Sequence, residues 1–458
     1  MRKTILLIAV LFGGMTEQSL FAQTTPAHAL KNITIHQADG SVTESATIIW
    51  RDGVIEAIGT NVTIPFDAFE MDGGDSLHVY PGFIDGLSVL GSPDLPGNLE
   101  ALDDPGNPPY DRAGIQPERK PSELLTEDKN FEAGMKAGIT TAALYPNGYM
   151  LPGQVELFYL SPKFADVKLL KDEIALAGSF DEAPGGWGRG AYPSTMMGVM
   201  AKFRQLMFDA TALQQHIKYY NQNPEMPAPD RDKVLEALFP LVNKSTPLLF
   251  EVDEKEHIER LFKLQDEFGF DAVIVSGKEA YAKADELKRR NIPVLASIDF
   301  TDMPKWYAKM KKVEDSDKDP KKDEEDEKEA SKEEEEEISE EEQAYRDKQL
   351  EAWKAEVSNI KKLMEAGVNV GYASAGLDQK EYSSKLKILL DEGGLSEADA
   401  VKVMTANTAN ILGIEQTHGS LDKGKNASFS VFDKPMSEKK AKVLKSISNG
   451  IIHEFDGE

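Results

Sequence analysis

Apolar and polar residues alternate at the two ends of the chain, whereas the long middle carries apolar residues at helical spacing between short apolar runs. Near the start, Ala46-Thr47-Ile48-Ile49-Trp50 and Val54-Ile55-Glu56-Ala57-Ile58 flank Arg51-Asp52-Gly53. An Asp-Gly pair between two β-rich runs predicts a hairpin. His78-Val79-Tyr80 then leads into Pro81-Gly82-Phe83-Ile84-Asp85. Near the end, Ser428-Phe429-Ser430-Val431-Phe432 and Ala441-Lys442-Val443-Leu444 read as strands, and Asn449-Gly450 precedes Ile451-Ile452. The two ends are alike in strand length and content, so one shared sheet is expected.

Between them, strands and helices alternate. Thr140-Thr141-Ala142-Ala143-Leu144, Leu248-Leu249-Phe250-Glu251, Ala272-Val273-Ile274-Val275, Pro293-Val294-Leu295-Ala296 and Val368-Asn369-Val370-Gly371-Tyr372 each adjoin an amphipathic stretch such as residues 257–268 or 279–290. Alternation over some 300 residues predicts parallel strands with crossover helices, and a (β/α)8 TIM-type barrel is the economical α/β solution. The expected division is residues 23–80 and 413–458 as the two parts of a composite β-sandwich, with residues 81–412 as the barrel. Residues 342–364 regain helical spacing, with Tyr345, Leu350, Trp353, Val357, Ile360 and Leu363 as a core stripe.

Charge changes this picture at one place. The 458 residues hold 52 Lys+Arg against 79 Asp+Glu, a net charge of −27. Residues 311–342 alone hold 18 acidic residues and 7 lysines, a net of −11. They lack apolar periodicity and read as a solvated acidic insertion in the barrel. Overall acidity argues against nucleic acid as a partner, since no counterion-releasing basic face is present. The absence of cysteine excludes disulfides, thiolate metal sites and cysteine nucleophiles. Met1-Arg2-Lys3, an apolar stretch over residues 4–14 and Ser19-Leu20-Phe21-Ala22 read as a signal peptide cleaved after Ala22. A periplasmic or secreted chain with no membrane segment after cleavage is expected.

The order RDGVIEAIG, PGFID, barrel, TANTANILGI and GSLDKGKNASFSVFD resembles the amidohydrolase superfamily, particularly its imidazolonepropionase-like and dihydroorotase-like branches. The resemblance covers the mature chain apart from the acidic insertion, and residues 193–205 resemble an exported bacterial subgroup. It implies a metal-hydrolase barrel flanked by a composite sandwich and hydrolysis of C–N bonds in amide or cyclic amide substrates. Zinc or another divalent metal would activate the water, held by imidazoles and carboxylates. The family's P-G-[FL]-[IV]-D-x-H-x-H run reads Pro81-Gly82-Phe83-Ile84-Asp85-Gly86-Leu87-Ser88-Val89 here. Its two histidine positions are Leu87 and Val89. The strand-five ligand falls at Glu251, the strand-six ligand at Ser276 and the final aspartate at Ala375. The resemblance therefore implies a degenerate metal site and no metal cofactor.

The seven histidines agree, since no two stand at H-x-H or H-x3-H spacing. Glu251, Asp253 and Asp378 remain as weak catalytic candidates, carboxylates that would gather at the C-terminal mouth of the barrel. Gly185-Gly186-Trp187-Gly188-Arg189-Gly190 reads as a binding or packing loop. The expected function is that of a catalytically impaired pseudoenzyme that binds a ligand or partner. The alternatives are a hydrolase on non-peptide C–N bonds using carboxylates, and a structural partner of an intact paralogue. Expected partners are a small molecule at the barrel mouth, a second copy of the chain, or that paralogue.

Overall fold

The computed structural model describes residues 25–97, 99–185, 191–318, 339–378 and 380–455. The proposed signal peptide, residues 186–190 of the Gly-Trp loop and residues 319–338 of the acidic insertion lie outside them. In chain order the strands are β1 (His28–His36), β2 (Val42–Arg51), β3 (Val54–Gly59), β4 (Phe69–Pro81), β5 (Phe83–Ser88), β6 (Ile139–Leu144), β7 (Gly153–Tyr159) and β8 (Lys168–Ser179). They continue as β9 (Leu248–Val252), β10 (Ala272–Ser276), β11 (Val294–Ala296), β12 (Val370–Tyr372), β13 (Phe429–Phe432), β14 (Val443–Ser448) and β15 (Ile451–Glu454).

Both ends of the chain build one seven-stranded sheet, in the order β15-β14-β13-β4-β1-β2-β3. The sheet curls so that β3 meets the segment leading into β13. Ile55 N–H donates to Lys425 O at 2.9 Å, Gly424 N–H to Ile55 O at 2.8 Å, and Ala427 N–H to Gly53 O at 2.8 Å. Inside the curl, Trp50 meets the edge of Phe429 at 5.2 Å, among Leu30, Ile33, Ile48, Val79, Val431 and Ile447. The hairpin turn read from sequence at Asp52-Gly53 abuts the β14–β15 turn at Asn449-Gly450 there. Asp52-Gly53 and Asn449-Gly450 all have positive φ, and a Cβ on Gly450 would stand 2.7 Å from the Gly53 Cα. Only glycine allows that approach.

The second sheet runs β12-β11-β10-β9-β8-β7-β6-β5. Eight strands are as expected, with one departure from an all-parallel barrel. β7 pairs antiparallel with both β6 and β8. No crossover helix separates these three strands, only residues 145–152 and a short turn at Phe164–Asp166, so the chain must return as a meander. The helix Met196–Gln222 then carries it back, and β8 to β12 are parallel in sequence. The helices Glu340–Val357 and Asn359–Glu365 bury Trp353, Val357, Ile360 and Leu363. Tyr345 departs from the expected stripe and is exposed, and Leu350 is only partly buried.

Between β5 and β12 side chains replace the ladder. The Tyr372 N–H, turned away from β11, donates to Thr408 Oγ1 at 2.8 Å, and Val370 O accepts from Asn407 Nδ2 at 2.8 Å. Both residues belong to the TANTANILGI run, where Val403–Asn407 forms a π-helical turn. On the other side Asp85 Oδ1 accepts from Ser374 N–H at 2.8 Å, and Ala375 N–H donates to Leu87 O at 3.2 Å. Gly86 permits this seam, since a Cβ there would lie 2.6 Å from Tyr372 O. Thr408 also donates to Val403 O at 2.7 Å and is fully buried. Thr408→Val keeps the shape and leaves the Tyr372 N–H unpaired, so a loss of about 1–3 kcal/mol is expected in chemical denaturation.

Candidate active site at the barrel mouth

The loops that follow β5, β6 and β8 leave from one end of the barrel, the C-terminal mouth where barrel proteins place their chemistry. Here they interlock. Gln116 N–H donates to Leu151 O at 2.8 Å, Leu151 N–H to Gly114 O at 3.0 Å, and Tyr192 N–H to Pro105 O at 2.8 Å. Ala113, Ile115, Met150 and Leu151 are buried beneath them.

At this mouth Glu251 ends β9 half-buried, and the Tyr145 hydroxyl donates to its Oε2 at 3.2 Å. Burial, then the charge of Asp181, pushes the Glu251 carboxyl up to about 7. The Tyr145 hydrogen bond and Lys278 oppose that rise, and Asp253 adds to it. The Tyr145 hydroxyl is itself held well above its ordinary range, by burial first and then by the Glu251 charge. Asp253 is half-buried and accepts weakly from the Lys278 N–H at 3.4 Å. The Lys278 ammonium pairs with Asp299 at 3.4 Å. A carboxyl poised near neutrality beside a tyrosine can take or give a proton at neutral pH.

The structure thus brings together two of the three candidate carboxylates, Glu251 and Asp253. Asp378 stands apart from them. It is exposed, its Oδ1 accepts from Lys380 N–H at 3.0 Å, and its carbonyl accepts from Glu381 N–H at 2.9 Å. Asp378 follows the Gly376 turn, and its short polar side chain folds onto its own backbone in the turn before the next helix. Tyr145 escaped sequence reading, although a polar residue directly after the apolar run of β6 is placed where barrel chemistry sits.

Leu87 packs into the apolar filling of the barrel with Ile84, Ala143, Leu249, Val275 and Leu295, and the partly buried Ala375 packs against that filling. Val89 is half-buried in the loop after β5, and Ser276 is buried at the end of β10. Ser276 and Ala375 both adopt left-handed backbone, at φ 69° and 44°, and each precedes a glycine with positive φ. Single non-glycine residues in that region cost on the order of 1–3 kcal/mol and gather at functional positions. Among the described residues no group of three or more His, Asp or Glu side chains gathers as a metal set. The five positions that the resemblance aligns with the family's ligands, the strand-four ligand having no assigned position, offer one carboxylate among apolar and hydroxyl side chains, short of the three or four donors a divalent metal needs.

A second buried carboxyl lies close by, in the seam. Asp85 is fully buried, Oδ1 accepts from Ser374 N–H and from Leu87 N–H at 3.4 Å, and Oδ2 has no hydrogen-bond partner. Burial pushes its carboxyl up to about 6, against the hydrogen bonds from Ser374 and Leu87. No sequence signal beyond the PGFID motif marked it.

The model of the amidohydrolase family matches residues 325–454. An amidohydrolase from Thermotoga maritima superimposes with a TM-score of 0.71 at 20% identity, over 93% of this chain and 99% of that one. A prolidase complexed with N-methylphosphonate-L-proline gives 0.52 at 12% identity, over 94% and 100%. A Xaa-Pro dipeptidase with bound methionine gives 0.50 at 15%, also over 94% and 100%. No curated protein matches the sequence significantly. Over residues 325–454 the sequence fits the amidohydrolase family, and over nearly its whole length the chain has the amidohydrolase fold.

An Asp85 carboxyl that titrates near 6 when folded and near 3.9 when unfolded binds more protons in the native state between those values. Its contribution to stability is therefore fully present below the unfolded value and lost as pH rises through 6. Asp85→Asn keeps the Oδ1 acceptor and removes the titration. The difference in unfolding free energy, variant minus parent, is expected to rise with pH from 4 to 7 in urea denaturation.

Proposed function

We propose that this chain is an exported amidohydrolase-fold protein without the family's metal-dependent hydrolysis, and that its capped barrel binds a small molecule. The observation that carries this reading is the packing of Leu87 into the apolar barrel core and of Ala375 against it, at positions that the resemblance aligns with metal ligands. Water activation by a divalent ion needs an open coordination position backed by at least three protein donors. The export reading rests on the first 22 residues of the sequence. Incubation with zinc, nickel or manganese followed by desalting and elemental analysis is expected to leave well under one equivalent bound. Retention of about one equivalent of any of them overturns the reading.

Glu251 favours a second reading, a hydrolase that acts on C–N bonds by acid–base chemistry without metal. Tyr145 orients the carboxyl, and burial with Asp181 raises its proton affinity toward neutrality. Turnover of amide or cyclic amide substrates that survives chelation and drops about 100-fold or more in Glu251→Gln would establish it. Turnover that Glu251→Gln leaves unchanged excludes that role. A third assembly, with an intact paralogue, would show as a stable complex on co-expression and gel filtration.

A further inference from the structure

His36 and His78 are 42 residues apart in sequence, yet β1 and β4 run parallel and set them side by side. His36 Nε2 lies 2.8 Å from His78 Nδ1, and the other nitrogen of His36 lies 3.5 Å from Glu397 Oε1. Glu397 opens the helix Glu397–Lys402, which belongs to the segment that seals β12. The same carboxylate accepts from the Tyr80 hydroxyl at 2.5 Å and from the Ser437 hydroxyl. Tyr80 stacks on His36 at 4.4 Å, and its hydroxyl oxygen accepts from Met436 N–H at 3.1 Å. Glu438 adds a further negative charge near Tyr80. The chain Glu397–His36–His78 therefore crosses from the barrel to the terminal sheet.

We propose that His36, His78 and Glu397 form an acid-sensitive latch between the terminal sheet and the barrel. A hydrogen bond between two imidazoles needs one ring to donate and the other to accept. The pair holds when neutral, and also with one added proton, which Glu397 offsets. A second proton leaves no acceptor and sets two cations 2.8 Å apart with one carboxylate between them and the helix. Burial holds His36 below its ordinary value, with His78 acting the same way and Glu397 opposing. The native state thus binds fewer protons than the unfolded one just below the ordinary histidine value. The latch's contribution is present at neutral pH and lost on acidification. It runs opposite to the buried carboxyls Asp85 and Glu251, whose strain acid relieves, so the loosening is local.

Hydrogen–deuterium exchange on the full chain at pH 7.5 and 5.0, corrected for the intrinsic pH dependence, tests this. Residues 34–40 and 396–402 are expected to exchange at least tenfold faster at pH 5.0, while β9 and β10 change less than twofold. His78→Asn removes the second imidazole and is expected to diminish the local increase. Glu397→Gln keeps both rings and removes the offsetting charge, moving the onset to higher pH by half a unit or more. An acid response identical in the parent and His78→Asn, or one spread evenly through β9 and β10, overturns the latch. So does an onset that Glu397→Gln leaves in place.

Discussion

The barrel depends on how its first and last strands are joined. β12 contributes three residues, too few for a ladder on both sides, and its outward groups would be left unpaired in a dry interior. Asp85, Asn407 and Thr408 take them up instead. Two of these side chains come from a helical turn and one from the facing strand, so the seam locks three segments together. An unpaired buried backbone group costs about 1–3 kcal/mol, comparable with much of a domain's net stability. That explains why a carboxylate with no cationic partner is held in the seam, since its hydrogen bonds to Ser374 and Leu87 offset part of its desolvation.

The terminal sheet docks onto the segment that leads into β6. Ser430 Oγ donates to Gly138 O at 2.9 Å, Ser446 Oγ to Met135 O at 2.9 Å, and Ser448 Oγ to Thr140 O at 3.2 Å. These serines alternate with Phe429, Val431 and Ile447, which point into the sheet's own core. One face is apolar for the sheet and the other is small and polar for docking onto the barrel. The period of two in SFSVF already states this division. Glu397 reaches the terminal sheet from the helix just before the seam's π-helical turn, through Tyr80, His36 and Ser437.

Much of this was legible because it follows from local pattern. Asp52-Gly53 specifies its hairpin alone, and the apolar runs around Leu249, Ile274 and Leu295 specify buried parallel strands. The meander at β7 was not legible, because a run such as Val155-Glu156-Leu157 says nothing about strand direction. Tyr345 fits a helical stripe, but its helix turns that position to solvent. The separation of Asp378 from Glu251 depends on where the loop after β12 leaves the barrel, which spacing cannot fix. The His36–His78 contact is equally silent in sequence, since strand register sets it rather than spacing.

On the proposed reading, loss of the ligand positions and persistence of the fold have one physical explanation. A metal site in the barrel core is a group of desolvated polar side chains that the ion alone compensates. Replacing them by Leu87 and Ala375 removes that requirement, and burying one leucine contributes about 1.5–3 kcal/mol. The scaffold is then stable without metal. The left-handed backbone at Ser276 and Ala375 gives no such return, because neither side chain explains it. The chemistry left at that mouth is a raised carboxyl, a tyrosine and a covering of interlocked loops. That set underlies the proposed site for a small molecule, with the raised Glu251 carboxyl beside Tyr145 as its proton-exchanging group.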